Sequence, residues 1–155
     1  MTEYKVFVKD FVERTLHNLE FLEKKHESGQ YEVYEFTQLV NSLLGLLVIP
    51  QQLKGSQIDN KFIDNQILKK LQGAITKDEY ALVGPPHDSF EQILYHMRNA
   101  IAHGKLKMGA IDGDISTIEF KDRNKRTKQL FIIRLDIDLL REFVEDFAYK
   151  LLKII

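Results

Sequence analysis

The stretch DSFEQILYHMRNAIAHGKL, residues 88–106, carries the signal from which the fold is read. Phe90, Ile93, Leu94, Met97 and Ile101 recur at spacings of three and four, the period of a helix with one buried face. Ahead of them, Asp88 and Glu91 form a capping-box pattern, in which Asp88 accepts from first-turn amides while Glu91 reaches back. Gly84-Pro85-Pro86 enforces an extended approach, and Gly104 is a natural stop. The spacing predicts a helix running to about residue 102.

The same period recurs on both sides. Val8, Phe11, Val12, Thr15, Leu19 and Leu22 predict a helix over roughly 5–28, ended by Ser28-Gly29. Val33, Phe36, Val40, Leu43 and Leu47 predict a second over about 32–48, stopped by Pro50 and packed antiparallel to the first across a short turn. Asn41 and Ser42 interrupt its apolar character and face a neighbour or the rim. Phe62, Ile63, Ile67, Leu68 and Leu71 suggest a helix near 60–72. Leu140, Phe143, Val144, Phe147, Leu151 and Leu152 predict a last one over about 136–154, capped by Asp136 or Asp138. Before it the period becomes two. Ile118 and Phe120 alternate with polar neighbours, LFIIRL at 130–135 is rich in strand formers, and the basic turn DRNKRTK separates them. The expected architecture is mainly α: a four- to five-helix up-and-down bundle, with a small β-hairpin before the last helix, forming a single domain over residues 1–155.

Composition narrows the function classes. A chain of 155 residues, 44% hydrophobic and 29% charged, is long enough to bury a core and too apolar for disorder. With no cysteine it has neither a disulfide framework nor a thiolate metal site. The N-terminal MTEYKVFVKDFVERT lacks the apolar core of a secretory signal, and LLGLLVI at 43–49 is too short to span a membrane. A cytoplasmic protein with no membrane partner is expected. The net charge of −1 argues against a general nucleic-acid coat protein. Its distribution is uneven, however: residues 96–128 hold 8 Lys/Arg against 4 Asp/Glu, net +4, and residues 1–95 are net −4. A local anion site around and after the quoted helix follows.

On a wheel of about 100° per residue, Gln92, Tyr95, His96, Asn99 and His103 fall within about 60° of Asn99, opposite the apolar set. Arg98 lies about 100° from Asn99. A straight helix separates Arg98 from His103 by about 140° and roughly 7.5 Å of rise. The two meet only if the helix breaks at His103 or if a second copy of the chain completes the site. Asn99 and His103, four apart, are placed for the amide to orient the imidazole. Arg98 offers a fixed charge in a planar fork suited to phosphate oxygens. An imidazole that moves a proton and a guanidinium that stabilises phosphoryl charge are what RNA cleavage by its own 2′-OH requires. A helix end also carries His or Arg for dipole reasons alone. No metal is expected: His96 and His103 lie roughly 10.5 Å apart along the axis, too far for one ion.

Arg98-Asn99-Ala-Ile-Ala-His103, at the end of a bundle helix, resembles the signature of the HEPN superfamily: Arg, a polar residue, then His four to six residues after the Arg. The stretch EFTQLVNSLLGLLVIPQ and the late hairpin resemble a bacterial, often plasmid-borne HEPN subfamily. The resemblance implies a helical bundle that dimerises with its two motifs face to face. It further implies a metal-independent endoribonuclease, without cofactor, that leaves a 2′,3′-cyclic phosphate and acts as a toxin or in antiviral defence. In that carry-over Arg98 stabilises the phosphate, Asn99 orients the site and His103 is the general acid/base. RNA is the substrate, a second copy of the chain the partner, and an antitoxin a further partner. Toxins silenced by a nucleotidyltransferase antitoxin carry Tyr two positions after the His. This chain has Lys105 there, which speaks against that partnership.

Lys105 and Lys107 directly follow the motif and are expected to line an anion site; Tyr95 and His96 share the stripe with Asn99 and contact substrate or pack at the dimer interface. The DRNKRTK turn, with Lys121 before it, either binds RNA backbone or is a solvated turn. His17, His26 and His87 join no constellation. Besides the ribonuclease, the pattern allows a non-catalytic HEPN module that binds nucleotide or RNA or mediates assembly.

Overall fold

A computed structural model describes residues 7–28, 35–48, 58–112 and 114–154. Five α-helices are found among them: α1 Phe7–Ser28, α2 Glu35–Val48, α3 Asn65–Ala74, α4 Phe90–Ala102 and α5 Ile137–Ile154. Four strands, β1 Ile75–Asp78, β2 Leu106–Ile111, β3 Asp114–Arg123 and β4 Leu130–Asp136, form one antiparallel sheet in the order β1-β4-β3-β2.

The helical stripes are buried as their spacing dictates. Val12 and Leu19 of α1, Leu43 of α2, and Leu140, Phe143, Val144, Phe147 and Leu151 of α5 lie in one continuous core with Phe90, Ile93, Leu94 and Met97 of α4. Phe90 meets the rings of Phe143 and Phe147 edge-on, with centroids 5.9 and 5.4 Å apart. Such aromatic pairs fix the helix crossing more tightly than aliphatic contacts do. α1 packs on both α2 and α5. Gly45 of α2 lets the Phe11 ring approach so closely that a Cβ there would lie 2.5 Å from Phe11 Cζ. Asn41 is exposed whereas Ser42 is buried, its hydroxyl without a hydrogen-bond partner among the described residues. Gly29, Val33 and Pro50, and the side chains of Val8, Phe36 and Leu47, lie outside the described residues.

Three expectations are corrected. The β-structure is a four-stranded sheet, not a hairpin, because the chain continues into strands on both flanks of β3–β4. β2 sets Leu106 and Met108 around Lys107 before Gly109, and β1 has only four residues, so neither shows a strong alternation. The helix near 60–72 is a 3-10 turn, Asn60–Phe62, followed by α3. Asp64 separates them by capping α3, its carboxylate accepting from the amides of Gln66 and Ile67. The N-cap sits one residue later than the pattern predicted: Ser89 caps α4, accepting from the Gln92 amide at 3.2 Å and donating its hydroxyl to the Gln92 side chain at 3.1 Å. The carbonyl of Asp88 instead accepts from Gln72 of α3. At α5 the structure chooses Asp136, whose carboxylate accepts from the Leu139 amide at 2.7 Å.

One face of the sheet closes the core. Ile118 and Phe120 of β3 and Phe131, Ile133 and Leu135 of β4 are at most 1% exposed, and α4 lies against β3. α4 is thereby packed on two sides, by helices and by sheet.

Candidate functional site

α4 ends as Gly104 demands. The amide of His103 still bonds Asn99 at 3.0 Å, and His103 is the C-cap with φ −98° and ψ 6°. Gly104 adopts φ +63°, its amide donating to Ile101 while that of Lys105 reaches Ala100 at 2.8 Å. This double closure is the Schellman arrangement, and it turns the chain straight into β2. The helix therefore stays regular to its last residue, and the angular separation of Arg98 and His103 persists.

Beside this terminus lies a groove of about 750 Å³. Tyr95, Asn99 and His103 form its helical wall. The opposite wall comes from the end of β3 and the turn that follows: Lys121, Asp122, Arg123, Asn124, Lys125 and Lys128. Lys105 and Tyr80 complete it. β2 stops pairing with β3 at Leu106–Phe120, so the last residues of β3 present a free edge toward α4. The turn is held by Asn124, whose side chain accepts from the amides of Arg126 and Thr127 at 2.9 and 3.0 Å. The DRNKRTK segment is thus a fixed turn with Lys125 and Lys128 at the groove.

Beneath the groove runs a buried polar chain. Asp122, 8% exposed, offers one carboxylate oxygen to His96 Nδ1 at 2.8 Å and to the Asn99 amide at 3.1 Å. His96 Nε2 lies 2.9 Å from His87 Nδ1. His96 is 1% exposed and stacks on Phe131 with centroids 4.1 Å apart, and His87 stacks on Tyr80 at 3.9 Å. Asp78 anchors the outer end, accepting from the amides of His87 at 2.7 Å and Tyr80 at 3.1 Å. Burial holds the His96 imidazole below its ordinary range, outweighing the pull of Asp122. A neutral His96 beside a carboxylate must donate from Nδ1, which leaves Nε2 to accept from His87. The chain then points one way, His87 to His96 to Asp122, and the second donor on Asp122 fixes which way the Asn99 amide faces. Burial also raises the Tyr80 phenol, against a hydrogen bond from Asn124 that lowers it.

The structure brings Asn99, His103, Tyr95 and Lys105 together in the groove. It leaves out Arg98, Lys107 and His96. Arg98 is half-buried on the flank of α4, its guanidinium carbon 6.0 Å from the centre of the Tyr95 ring. Lys107 lies further along β2, opposite Glu119. His96 is a correction to the wheel: it shares the stripe of Asn99, but the sheet covers that part of the stripe, so this ring packs under the groove and faces no solvent. Asp122, His87 and Tyr80 were not picked out from sequence. Asp122 had a signal, since the alternation Ile118, Phe120, Asp122 puts a carboxylate on the core face of a strand. The exposed His17 joins no site, and the side chain of His26 lies outside the described residues. Among the described residues no group of three or more His, Asp or Glu is arranged to hold a metal ion, and no described helix is long and apolar enough to cross a membrane.

Residues 1–155 match a family model described as HEPN pEK499 p136. Comparison with curated proteins and with solved structures gives no match.

Proposed function

Starting from a chain that belongs to the HEPN pEK499 p136 family along its whole length, we propose a homodimeric, metal-independent endoribonuclease whose site is shared between two copies. Family membership points to nuclease or RNA-binding function. The observation that supports the finer reading is the groove, where His103 and Asn99 share a wall with Lys105 and face the cations of the basic turn. His103 takes the proton of a ribose 2′-OH. The freed oxygen attacks the adjacent phosphorus, the bond from phosphorus to the 5′-oxygen breaks, and that oxygen leaves with the proton that the His103 imidazolium returns. The products are a 2′,3′-cyclic phosphate and a 5′-hydroxyl end. The lysines stabilise negative charge on the phosphoryl oxygens throughout. The partner's Arg98 supplies the guanidinium that the groove of one chain lacks. Asn99, pinned by Asp122, positions the reacting ribose. The setting we assign is a toxin or antiviral defence protein of the cytoplasm, with an antitoxin as a further partner.

Complementation tests the shared site. Arg98→Ala and His103→Ala are each expected to lose at least about 100-fold in cleavage rate. Mixing the two variants under subunit exchange restores about a quarter of wild-type activity, because half the two-fold dimers are mixed and each holds one intact site. Absence of recovery contradicts the shared site. A folded dimer that cuts no RNA in EDTA or in magnesium contradicts the ribonuclease. Expression should arrest growth with wild type and not with either variant. A second reading is a non-catalytic RNA- or nucleotide-binding module, favoured by the exclusion of Arg98 from its own groove. RNA binding without cyclic-phosphate ends would select it.

A further inference from the structure

The sheet has a second face, and its character is unlike the first. In a strand, neighbours alternate between faces, so opposite the buried Ile118, Phe120, Phe131 and Ile133 stand Thr117, Glu119, Lys121, Ile132 and Arg134. Register aligns these into rows. Lys77 of β1 pairs with Ile132, which pairs with Lys121, whose amide donates to the Lys105 carbonyl at 3.1 Å. In the next row Arg134 pairs with Glu119, which pairs with Lys107. All five cations are exposed, and Glu119 is the acidic residue among them. None of the five forms an ion pair among the described residues. With strands about 4.8 Å apart and same-face residues about 6.7 Å apart along each strand, the rows span roughly 15 Å by 7 Å.

Arg134 lies across the sheet. Its Nη2 donates to Thr117 at 3.4 Å and passes over Gly109 of β2, where a Cβ would meet Thr117 Oγ1 at 2.3 Å and Arg134 Nη2 at 3.3 Å. The bare backbone at Gly109 thus leaves room for the guanidinium to rest against the strands. Lys105 and Lys121 also line the groove, so the rows and the groove are continuous.

We propose that this outer sheet face is the track for the RNA strand flanking the cleavage point, holding its phosphates by charge. The inference rests on the ribonuclease reading of the groove and extends it beyond the reacting nucleotides. No aromatic side chain stands in either row, so the track reads phosphates and is indifferent to sequence. Tyr80 and Tyr95 place base contacts in the groove instead.

The test uses the full-length protein with His103→Ala, so that RNA stays intact, with and without Lys77→Gln plus Arg134→Gln. Binding of a 20-nucleotide unstructured RNA and of a trinucleotide is followed by fluorescence anisotropy across a salt series. Losing two phosphate contacts should lower the salt slope for the long RNA by about 1.4, which is about 25-fold in affinity at 0.1 M salt relative to 1 M. The trinucleotide should bind unchanged. Lys107→Gln alone should lower the slope by about 0.7, a check that does not disturb Arg134. An unchanged slope for the long RNA in both variants overturns the track, as does equal loss for the trinucleotide. Binding of phosphatidylserine vesicles that depends on these residues, with RNA binding unaffected, overturns it in favour of a membrane surface. Cleavage of short RNA by protein with His103 intact is scored separately. Cleavage with no change in slope refutes the track alone, and a changed slope with no cleavage refutes the ribonuclease alone.

Discussion

Replacing Asp122 by alanine removes the carboxylate oxygen that accepts from both His96 at 2.8 Å and Asn99 at 3.1 Å. Two donors lose their partner, and each such loss costs about 1–3 kcal/mol when the donor is buried. The His96 donor sits on a ring that is 1% exposed and pays this in full. The Asn99 donor borders the groove, where water offsets part of the cost. The sum is about 2–4 kcal/mol, a substantial fraction of the roughly 5–15 kcal/mol by which domains are stable. In a domain of this size it lowers the melting temperature by roughly 5–15 °C. Asp122→Asn keeps an acceptor of the same shape and loses only the charge, so about 1 kcal/mol is expected. Urea unfolding followed by circular dichroism at pH 8 and fixed protein concentration measures both. An Asp122→Ala cost under about 0.5 kcal/mol, the level of an ordinary surface change, refutes the account. So does additivity within about 0.5 kcal/mol between Asp122→Ala and His96→Phe, since partners in one network must couple.

The same chain sets a pH dependence. Because burial depresses the His96 value, the unfolded chain takes up this proton more readily than the folded one. The contribution is complete above the ordinary histidine value of about 6.5 and is lost as pH falls through the folded value; thermal melts from pH 8 to 5 should fall more steeply for wild type than for His96→Phe, and parallel curves count against it. Gly104→Ala places a side chain at φ +63° with no atom within 4 Å of its Cβ, so strain alone acts and about 1–2 kcal/mol is lost in the same urea assay; no loss means the terminus relaxes. Gly45→Ala drives a Cβ to within 2.5 Å of Phe11 Cζ and should cost about 1–3 kcal/mol. Phe11→Leu in the Gly45→Ala background should recover part of it, and failure to do so places the strain elsewhere.

The longer helices were legible because each carries three or more turns of a consistent stripe, and a stripe that long has few alternative burials; α3, with ten residues, has less, and its start was misplaced. α4 and α5 needed only the positions of Phe90, Met97, Phe143 and Phe147. The flanking strands were not legible for a local reason. In β2 and the residue before it, Lys105 and Lys107 alternate with Leu106 and Met108, and Met108 is half exposed, so the pattern lacks a buried face. The shift of the cap from Asp88 to Ser89 is a one-residue ambiguity between two good capping residues. It was decided by α3, whose Gln72 takes the Asp88 carbonyl. The separation of Arg98 from His103 was readable from the wheel, since it depends only on helix geometry. The burial of His96 was not, because the wheel fixes direction and not what lies in that direction.

That missing neighbour, the sheet, also explains where the groove lies. A bundle helix with one apolar stripe exposes its polar stripe along its whole length, which would spread Gln92, Tyr95, Asn99 and His103 over an open surface. Here β3 and β4 cover the side of α4 that holds His96, and the helical core covers the side that holds Met97. Only the flank between them stays accessible, and at its C-terminal end β3 runs past β2, paired with β4 on one edge and free on the other. The groove forms where that free edge faces the last turn of α4. An aspartate on the core-facing side of β3 is tolerable at Asp122 because the histidine and amide of α4 arrive as donors. The sheet therefore does two things for the motif: it confines access to the turn that bears His103, and it fixes Asn99 through Asp122. Arg98 gains neither, standing on the flank beside Tyr95. Under the proposed ribonuclease reading, the guanidinium that meets His103 at one phosphate comes from another copy of the chain, which is why exchange of Arg98→Ala and His103→Ala subunits is the decisive measurement.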